Sequence, residues 1–551
     1  MRNRTSSFNL KCVHPETVEQ ILSSLKNSKS CGLDSIDTFS LKLAGQRIIP
    51  ALTHIINLSI LTQQFPTSWK TAKIIPLYKK DDPLSPKNYR PVAILPILSK
   101  VLEKAVFLQI VDYMDSNHLI HPNHHGFRAG HSTTTGLIQM YDAWVEALDC
   151  DKYTGACFLD LSEAFDIVDH PLLMEKLKLY GFSENSLSWV GSYLTGRSQT
   201  VYIESFLSKV LLVPTSVPQG SILGPLLYII FTNELPELVH DHEAQGTKPY
   251  NMKCTPCGNL CCYADDSTFS YSSSSIQEIS DKISENYTGI AQFMSNNKLK
   301  LNGDKTHLML LATDHAWRHK LDENSLSLNT GNEIISTSKS EKLLGGLINQ
   351  NLKWTDHILL NEESLLKKLG TRLNALKQMG KVADFKTRKM LANGLFMSKL
   401  VYLMPLWGGC DKFLIKALQI VQNKAARSVT KLGIFTPVRT LLKQCGWLSV
   451  NQLVFFHTVV LLYKTLQNQS PEYLLSMAGT EYNYKSRAKD EGKLRVVPGY
   501  KIESDLNIKS YRWRSIKCWN QLPQDITSTI NLYKFKVKLK AWVLKNVDLN
   551  P

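Results

Sequence analysis

The sequence contains no long hydrophobic run. Its longest apolar stretch, LVFFHTVVLLY at residues 453–463, includes a histidine and is well short of the roughly 18 residues that a membrane-spanning helix needs. The first residues, MRNRTSSFNLKC, carry arginines with no apolar segment behind them. The pattern therefore predicts no signal peptide and no membrane partner.

Cysteines are few and unevenly spaced. Eleven cysteines in 551 residues do not make a disulfide scaffold, so we expect a reduced, intracellular protein. No internal repeat is visible. A chain of this length exceeds one hydrophobic core, and its 43% of hydrophobic residues is typical of globular proteins, so several domains are expected.

Acidic residues are the minority among the charged ones. Lys and Arg total 64 against 48 Asp and Glu, which gives a formal net charge of +16 with neutral His. An excess of this size favours a polyanionic partner such as nucleic acid, although an ordinary basic protein would also show it. Charge alone names no reaction.

Two adjacent aspartates interrupt an apolar segment in CCYADDSTFSY, residues 261–271. The pattern predicts a strand, a turn at Asp265 and Asp266, and a second strand, followed by a helix with a capping box at Ser275 and Glu278. A third carboxylate, Asp160, follows an apolar strand. Grouped carboxylates suit Mg²⁺, and two such ions can support phosphoryl transfer. The alternative is a solvated hairpin turn, in which Asp is common.

Seven motifs follow one another along the chain, and any one of them alone would be weak evidence. In chain order they are YKKDDPLSPKNYRPVAIL (78–95), HHGFRAGHST (124–133), FLDLSEAFD (158–166), VPQGSILGPLLY (217–228), YADD (263–266), LKLNGDKTHLM (299–309) and EKLLGGLI (341–348). With this ordered series, the chain resembles the reverse transcriptases of non-LTR (LINE-type) retrotransposons, most like the jockey-type branch, from about residue 15 to 450.

The resemblance implies an α+β fold shaped as a right hand, with fingers, a palm built on an antiparallel sheet, a helical thumb and a mostly helical C-terminal region. It implies an RNA-directed DNA polymerase, a nucleotidyltransferase that copies an RNA template from a DNA primer with dNTPs. The expected cofactor is a pair of Mg²⁺ ions, with Mn²⁺ as an alternative. The expected setting is a ribonucleoprotein with the element RNA, in the cytoplasm and the nucleus.

The catalytic residues come from the same resemblance. Asp160 and Asp265 correspond to the two metal-binding aspartates, Asp266 to the acidic neighbour of the second, and the Leu161 carbonyl to a backbone ligand. Lys305 matches a lysine beside the pyrophosphate leaving group, where it can act as a general acid.

Six residues match positions that contact the incoming nucleotide. Phe165 matches the aromatic residue that excludes ribonucleotides by crowding the 2′-hydroxyl; the alternative is an ordinary core Phe. A glycine in the Gln219–Gly220 turn lets the backbone approach the nucleotide closely. The three cations expected at the triphosphate are Lys79, Lys80 and Arg90. Their alternative is a solvated basic face.

Other residues match contacts with the template and primer. Arg128 is expected at the template backbone, and Gly345 and Gly346 match the turn that grips the primer end. Leu366, Leu369, Leu373 and Leu376 recur at three- and four-residue steps, which predicts an amphipathic helix. Its cations, expected to face the template–primer duplex, are Lys367, Lys368 and Arg372.

A cysteine cluster precedes the aspartate pair. Cys254 and Cys257 form a C-x-x-C pair, which is half of many zinc sites. The second half would come from Cys261 or Cys262, or from His240 and His242. Zn²⁺ is therefore a second candidate cofactor, although Cys262 is expected in a strand, and chance residues are tolerated in such an insert.

The predicted organisation is an N-terminal helical extension (1–70), fingers and palm (71–350, with the cysteine insert at about 236–260), a helical thumb (351–450) and a C-terminal region of unknown role (451–551). We expect neither an endonuclease nor a ribonuclease H domain. One alternative is a domesticated or truncated copy that binds nucleic acid without polymerising. Another is a two-metal nuclease, which would need neither the VPQG turn nor Phe165.

Overall fold

The computed structural model describes residues 7–161, 165–218, 220–239, 258–322, 324–331, 333–477, 494 and 505–549. Five of the predicted site residues lie outside this part of the chain, namely Gln219, His240, His242, Cys254 and Cys257. Strands and helices are mixed along the first two thirds, whereas helices dominate after residue 360. The protein therefore has the predicted α+β class, with the predicted helical C-terminal part.

The strands are short and fall between residues 71 and 349. In chain order they are β1 (Thr71–Tyr78), β2 (Tyr89–Ile94), β3 (Tyr153–Leu159), β4 (Arg197–Ile203), β5 (Phe206–Leu207), β6 (Leu211–Val213), β7 (Gly258–Tyr263), β8 (Asp266–Ser273), β9 (His307–Leu311), β10 (Ser327–Asn329), β11 (Ile334–Ser336), β12 (Ser340–Leu343) and β13 (Gly346–Asn349).

The α-helices run along the whole described chain. They are α1 (Pro15–Ser24), α2 (Thr38–Leu43), α3 (Ile49–Thr62), α4 (Ile97–Ser116), α5 (Thr133–Asp149), α6 (His170–Leu179), α7 (Glu184–Leu194), α8 (Leu223–Phe231), α9 (Ile276–Asn296), α10 (Asp314–His319), α11 (Leu365–Met379), α12 (Phe385–Ala392), α13 (Ser398–Leu400), α14 (Met404–Trp407), α15 (Lys412–Thr430), α16 (Val438–Cys445), α17 (Val450–Leu466), α18 (Glu472–Met477), α19 (Asp505–Lys509), α20 (Tyr511–Trp519), α21 (Gln524–Thr527) and α22 (Leu532–Asn546). Single 3₁₀ or π turns occupy Gly45–Arg47, Thr67–Trp69, Pro86–Asn88, Leu235–Val239, Gly303–Lys305, Asp356–Leu360 and Asn393–Met397.

The chain divides into two compact units, and each unit uses separate stretches of sequence. The first unit comprises Met1–Phe127, Asp160–Leu238 and Gly289–Asn302. The second comprises Arg128–Leu159, Val239–Thr288 and Gly303–Pro551. Both units cut across the four linear regions expected from the sequence, whose functional boundaries stay a prediction.

The first unit contains a sheet with the strand order β2-β1-β4-β5, and β6 also pairs with β4. β1 and β4 run parallel, while β1 and β2 form an antiparallel hairpin. Ala72 and Ile74 alternate with more exposed residues along β1, and they pack with Ala93 and Leu95 in a small core. The sheet therefore has one buried face, as period-two alternation predicts.

The second unit contains an antiparallel sheet with the order β7-β8-β3-β9. β3 is a central strand, and six of its seven residues are buried. Close packing requires a glycine at position 155 of β3, because a Cβ there would lie 2.6 Å from Ile279 Cγ2 of α9. β3 ends at Leu159, so the apolar strand predicted before Asp160 is confirmed.

Helix α9 is the helix predicted after the aspartate hairpin, and Ile279, Ile283 and Ile290 on its apolar face are fully buried. Its N-terminal cap is half of the predicted box: the Ser275 hydroxyl accepts a hydrogen bond from the Glu278 backbone N–H at 3.3 Å. The Glu278 carboxylate accepts instead from the hydroxyls of Tyr271 (2.8 Å) and Ser273 (2.5 Å). The predicted return bond to residue 275 was therefore wrong, because β8 offers two nearby hydroxyl donors.

Among the described residues, no single helix is both long and apolar enough to cross a membrane. The adjoining helices α16 and α17, bent by 44° relative to each other, meet that criterion only when taken together. Ten residues of α17 are buried in the second unit, including Leu453, Val459 and Leu462.

The C-terminal helices of the second unit attach to α5, the helix that also packs on β3, β7 and β8. Asp142 of α5 is buried and accepts a hydrogen bond from the Arg512 backbone N–H at 3.2 Å. The Arg512 side chain lies 3.7 Å from the Glu146 carboxylate on the same helix. Burial raises the pKa of Asp142 to about 6, against the opposing influence of Arg512 and Arg514.

This buried carboxylate predicts a pH-dependent stability. In the unfolded chain Asp142 ionises near pH 4, whereas in the folded chain it ionises near pH 6, so the folded state binds more protons between those values. Stability should fall as pH rises from about 4 to 6, by roughly 2–3 kcal/mol from this group. Urea unfolding at several pH values should show this decline in the wild type and a flatter curve in Asp142→Asn. The exposed control Asp151→Asn should keep the wild-type slope, and an equal slope in Asp142→Asn would contradict the assignment.

Candidate active site

The predicted aspartate pair lies at the tip of the β7–β8 hairpin in the second unit. Tyr263 pairs with Asp266, so Ala264 and Asp265 form a two-residue turn, and both aspartates are exposed. Ala264 has φ +58°, a left-handed conformation that costs an L-residue roughly 1–2 kcal/mol. The hairpin was predicted from the sequence, and its strained turn points both acidic residues away from the core, as a functional site can require.

The third predicted carboxylate, Asp160, follows directly after β3 in the chain. Leu159, the last residue of β3, pairs with Ser267, the residue that follows Asp266. Asp160 is the next residue of the chain after Leu159. Within the first unit its carbonyl accepts a hydrogen bond from the Asn302 N–H at 3.0 Å, and Leu161 forms an antiparallel bridge with Leu301. The backbone of the predicted metal-binding segment is therefore held on both sides of Asp160.

The donor chemistry of this segment suits a hard cation. Within the described ranges, no group of three or more His, Cys, Asp and Glu side chains is gathered around one metal position. Mg²⁺ does not need such a group, because it is commonly bound by one or two carboxylates together with waters and substrate phosphates. The small number of described carboxylates is therefore compatible with Mg²⁺, and the assignment of Asp160, Asp265 and the Leu161 carbonyl as its ligands stays a prediction.

The backbone of the first unit turns sharply at Gly220, just before α8. Gly220 has φ +110°, and a Cβ on it would lie 2.5 Å from the carbonyl oxygen of Ala93 in β2. Glycine is therefore required here because the turn touches β2. That reason differs from the approach to a nucleotide that the sequence suggested, and the nucleotide contact stays a prediction.

Glu103 is a site residue that the sequence reasoning missed. Its fully buried carboxylate accepts hydrogen bonds from the backbone N–H groups of Ile222 (2.7 Å) and Leu223 (3.3 Å) at the start of α8. A carboxylate at a helix N-terminus satisfies free N–H groups and is favoured by the helix dipole. The sequence signals only a buried acid, as a lone acid on the apolar face of LSKVLEKAVF, and does not indicate its partner.

Two side chains complete the surroundings of Glu103. The hydroxyl of Ser99 donates to it at 2.7 Å, and the hydroxyl of Tyr193 donates at 3.4 Å. Burial and the Glu103 charge raise the pKa of Tyr193, so its hydroxyl stays protonated and remains a donor. Glu103 therefore positions the residues that follow the VPQG turn without being exposed to a substrate.

Phe165 lies half-buried beside this turn. Its ring centroid is 4.6 Å from that of Tyr228 and 6.2 Å from that of Phe127, and its carbonyl accepts from the Val217 N–H at 2.9 Å. The ring is therefore fixed by aromatic packing and is connected to the VPQG segment through the backbone. These contacts suit both the predicted sugar gate and the alternative of a packing residue.

The three predicted triphosphate ligands share the β1–β2 hairpin. Arg90 pairs with Leu77, the Lys79 N–H donates to the Asn88 carbonyl at 2.8 Å, and all three cations are exposed. Lys80 lies 3.8 Å from Asp81, a surface pair of little energetic weight. All three cations therefore lie near the closed end of this hairpin, and their contact with a triphosphate stays a prediction.

In the second unit the predicted primer-gripping residues form a tight turn between β12 and β13. Leu344 and Gly345 both have positive φ, and the hydroxyl of Tyr402 donates to the Leu344 carbonyl at 2.6 Å. A Cβ on Gly345 would lie 3.1 Å from the Tyr402 ring. Arg128 is half-buried, and Lys305 is exposed at the end of its 3₁₀ turn.

Helix α11 carries the predicted duplex-binding cations, but they differ in availability. Lys367 is exposed, whereas Lys368 lies 3.1 Å from Glu363, and Arg372 donates to the Leu395 carbonyl at 2.8 Å. The apolar face is buried as expected, except that Leu365 replaces Leu366 as its first fully buried residue.

The two described cysteines of the predicted zinc cluster are core residues of β7. Cys261 belongs to the main core of the second unit, and Cys262 accepts a hydrogen bond from the Ser267 hydroxyl at 3.5 Å. Burial raises the pKa of both thiols. This environment favours neutral thiols that pack as small hydrophobic residues, which argues against Cys261 as a zinc ligand, while zinc binding by the residues outside the described part stays a prediction.

The fold and the aspartate hairpin agree with the comparison to known families. The sequence model for the family described as reverse transcriptase (RNA-dependent DNA polymerase) matches residues 77–354, just over half of the chain. The chain therefore belongs to the reverse transcriptase family.

The relatives identify the branch. The chain is 28% identical over 455 residues to the probable RNA-directed DNA polymerase from transposon BS of Drosophila melanogaster, covering 82% of this chain and 48% of the relative. It is 28% identical over 435 residues to the probable RNA-directed DNA polymerase from transposon X-element of Drosophila melanogaster, covering 78% of this chain and 45% of the relative. It is 27% identical over 416 residues to the RNA-directed DNA polymerase from mobile element jockey of Drosophila funebris, covering 75% and 43%.

These relatives confirm the resemblance to jockey-type, non-LTR elements that was drawn from the seven motifs. The matched region spans slightly less than half the length of each of these curated relatives.

The buried Glu103 predicts a stability loss on a conservative change. Glu103→Gln keeps the shape but turns one acceptor oxygen into an NH₂ donor and removes the charge, so the N–H groups of α8 lose part of their partner. We expect a loss of about 1–3 kcal/mol in urea unfolding. The exposed control Glu184→Gln, in the same unit, should stay within about 0.5 kcal/mol. Equal stability of the two variants would show that Glu103 does not hold α8.

Proposed function

We propose that this chain is an RNA-directed DNA polymerase of a non-LTR retrotransposon, which extends a DNA primer on an RNA template. One observation carries the proposal: a reverse transcriptase family match contains an exposed Asp265–Asp266 hairpin whose strand pairs with the strand that leads into Asp160. A nuclease would require no VPQG turn with a carboxylate dedicated to it. The other motifs are supporting evidence.

In the proposed reaction the primer 3′-hydroxyl attacks the α-phosphate of a dNTP, and pyrophosphate leaves. Asp160, Asp265 and the Leu161 carbonyl would hold Mg²⁺, with Asp266 adding negative charge beside them. Bound there, the metal would stabilise the attacking and leaving oxygens. Lys305, exposed in the second unit, would donate a proton to the leaving pyrophosphate.

The residues of the first unit would bind and select the nucleotide. Lys79, Lys80 and Arg90, exposed on one hairpin, would bind the triphosphate. Phe165 would crowd the 2′-position of the sugar, since its ring is held in place by Tyr228. Gln219 and Gly220 would border the base, and Glu103 keeps the helix behind that turn in place.

We further propose the right-hand assignment. The β1–β2 hairpin would belong to the fingers, the β7-β8-β3-β9 sheet to the palm, and α11 to the thumb. Of the α11 cations, Lys367 is the one we assign to a duplex phosphate, because Lys368 and Arg372 already have partners in the protein. The tight Leu344–Gly345 turn, with Gly346, would hold the primer end, and Arg128 the template. The proposed setting is a ribonucleoprotein with the element RNA, in the cytoplasm and the nucleus.

The aspartates provide the decisive test. Asp160→Asn and Asp265→Asn should each reduce primer extension on an RNA template to below a few per cent of wild type, because an amide binds Mg²⁺ poorly. RNA affinity and the unfolding midpoint should change little, since Asp265 is exposed. Asp322→Asn, another exposed aspartate in a turn, is the matched control. Extension by either variant at the control's rate would remove that residue from the site, and a wild-type chain that binds RNA without extending a primer would favour the binding-protein alternative.

The sugar gate is tested separately. Phe165→Val should raise the incorporation of ribonucleotides relative to deoxyribonucleotides by roughly tenfold or more, since the space beneath the sugar opens. Phe127→Val removes one of the rings that pack on Phe165 and is the control for altered packing. If both variants change selectivity equally, or neither does, Phe165 is a packing residue.

A further inference from the structure

A small cavity in the first unit lies against the paired strands β1 and β4. Its volume is about 60 Å³, and its wall includes Lys70, Asp166, Arg197, Ser198, Ser216 and Pro218. At roughly 10–15 Å³ for each water position, the space holds several water-sized groups, which is comparable to one phosphate group. Pro218 places this cavity directly before the Gln219–Gly220 turn.

Arg197 is nearly buried but incompletely bonded. It is 5% exposed, and its Nε donates to the Tyr193 carbonyl at 2.8 Å. Its guanidinium carbon lies 4.3 Å from the centre of the Tyr193 ring and 5.4 Å from that of Phe65. Its buried Nη2 has no hydrogen-bond partner. A buried charged donor without an acceptor is costly, so such a group marks a place where an acceptor is expected.

Lys70 is a second cation on the same wall. Burial and then the charge of Arg197 lower the pKa of Lys70, as expected of two cations that share a confined space. Within the part of the chain that the structure describes, neither cation has an ion pair with a carboxylate at or below 4.0 Å. Asp166 is also on the wall, so the two cations and one carboxylate give the cavity a net positive charge.

We propose that this cavity is an anion site that takes one phosphate group of a nucleic-acid strand. Arg197 Nη2 would donate to a phosphate oxygen, Lys70 would add a second charged donor, and the hydroxyls of Ser198 and Ser216 would complete the set. Arg-to-phosphate bonds are short, directional and strong, and they would satisfy the orphaned nitrogen.

The position of the cavity favours a strand over a free ion. The Tyr193 carbonyl accepts a hydrogen bond from Arg197, and the Tyr193 ring packs against the guanidinium. The Tyr193 hydroxyl donates to Glu103, the carboxylate that caps α8. A phosphate held by Arg197 would thus be fixed to the same framework as the VPQG turn. This choice of ligand rests on the proposed function, whereas the anion site itself does not.

Two measurements on the full chain test the proposal. Inorganic phosphate, compared with chloride at equal ionic strength, should raise the melting temperature of the wild type and of Lys29→Gln, but not of Arg197→Gln. Affinity for a single-stranded RNA oligonucleotide, measured from low to high salt without dNTPs or Mg²⁺, should lose roughly 0.7 from its log–log slope in Arg197→Gln and in Lys70→Gln. Lys29→Gln, an exposed cation in the same unit, should keep the wild-type slope.

Each result is decisive. Loss of both effects in the Arg197 and Lys70 variants supports the strand-phosphate site. Loss of phosphate stabilisation with unchanged slopes would overturn the strand assignment and leave a site for free phosphate. If neither effect changes, Arg197 is only a packing cation. Arg197→Lys, which keeps a charge, should retain part of the slope, and Lys70→Gln replaces Arg197→Gln if that variant does not fold. Because no polymerisation is measured, these results stay separate from the aspartate test of the enzyme activity.

Discussion

The pairing of β3 with β8 is the constraint on which the rest of the second unit depends. Residue-by-residue register from Tyr153–Ser273 to Leu159–Ser267 fixes the end of one strand opposite the start of the other. A slip by one residue would turn every side chain of β3 to the opposite face. Because both faces of β3 are buried, each side chain would then meet packing partners chosen for a different residue. The position of the Ala264–Asp265 turn is therefore set by core packing several residues away.

A second, smaller constraint has the same character in the first unit. Residue 220 must be glycine because the Ala93 carbonyl oxygen leaves no space for a Cβ at this turn. Helix α8 begins just after it because the Glu103 carboxylate accepts hydrogen bonds from its first N–H groups. The two units therefore fix their predicted site segments in different ways. The second unit places Asp265 on a β-hairpin with a strained tip, whereas the first unit uses a buried carboxylate as the acceptor for helix N–H groups that have no backbone partner.

Local patterns in the sequence were enough to predict the Asp265 hairpin, the helix α9 that follows it and the buried leucines of α11, because each depends on neighbouring residues. Features that join distant segments were not predictable in this way. Nothing near Glu103 in the chain indicates that it caps a helix starting at Leu223, and nothing near Lys368 indicates that Glu363 shares it with Lys342. The family match could supply roles for residues such as Phe165, but not the aromatic rings that hold them.

The contact between Asp142 and Arg512 joins residues that are 370 positions apart. During synthesis at about 5–20 residues per second, the partner of this helix face would emerge roughly 20–70 seconds after the face itself. Through that interval α5 would expose a carboxylate-bearing surface that only the C-terminal helices cover. The second unit can therefore finish folding only late in synthesis. A chain released early by the ribosome would contain the whole aspartate hairpin, but the face of α5 that the C-terminal helices cover would be exposed.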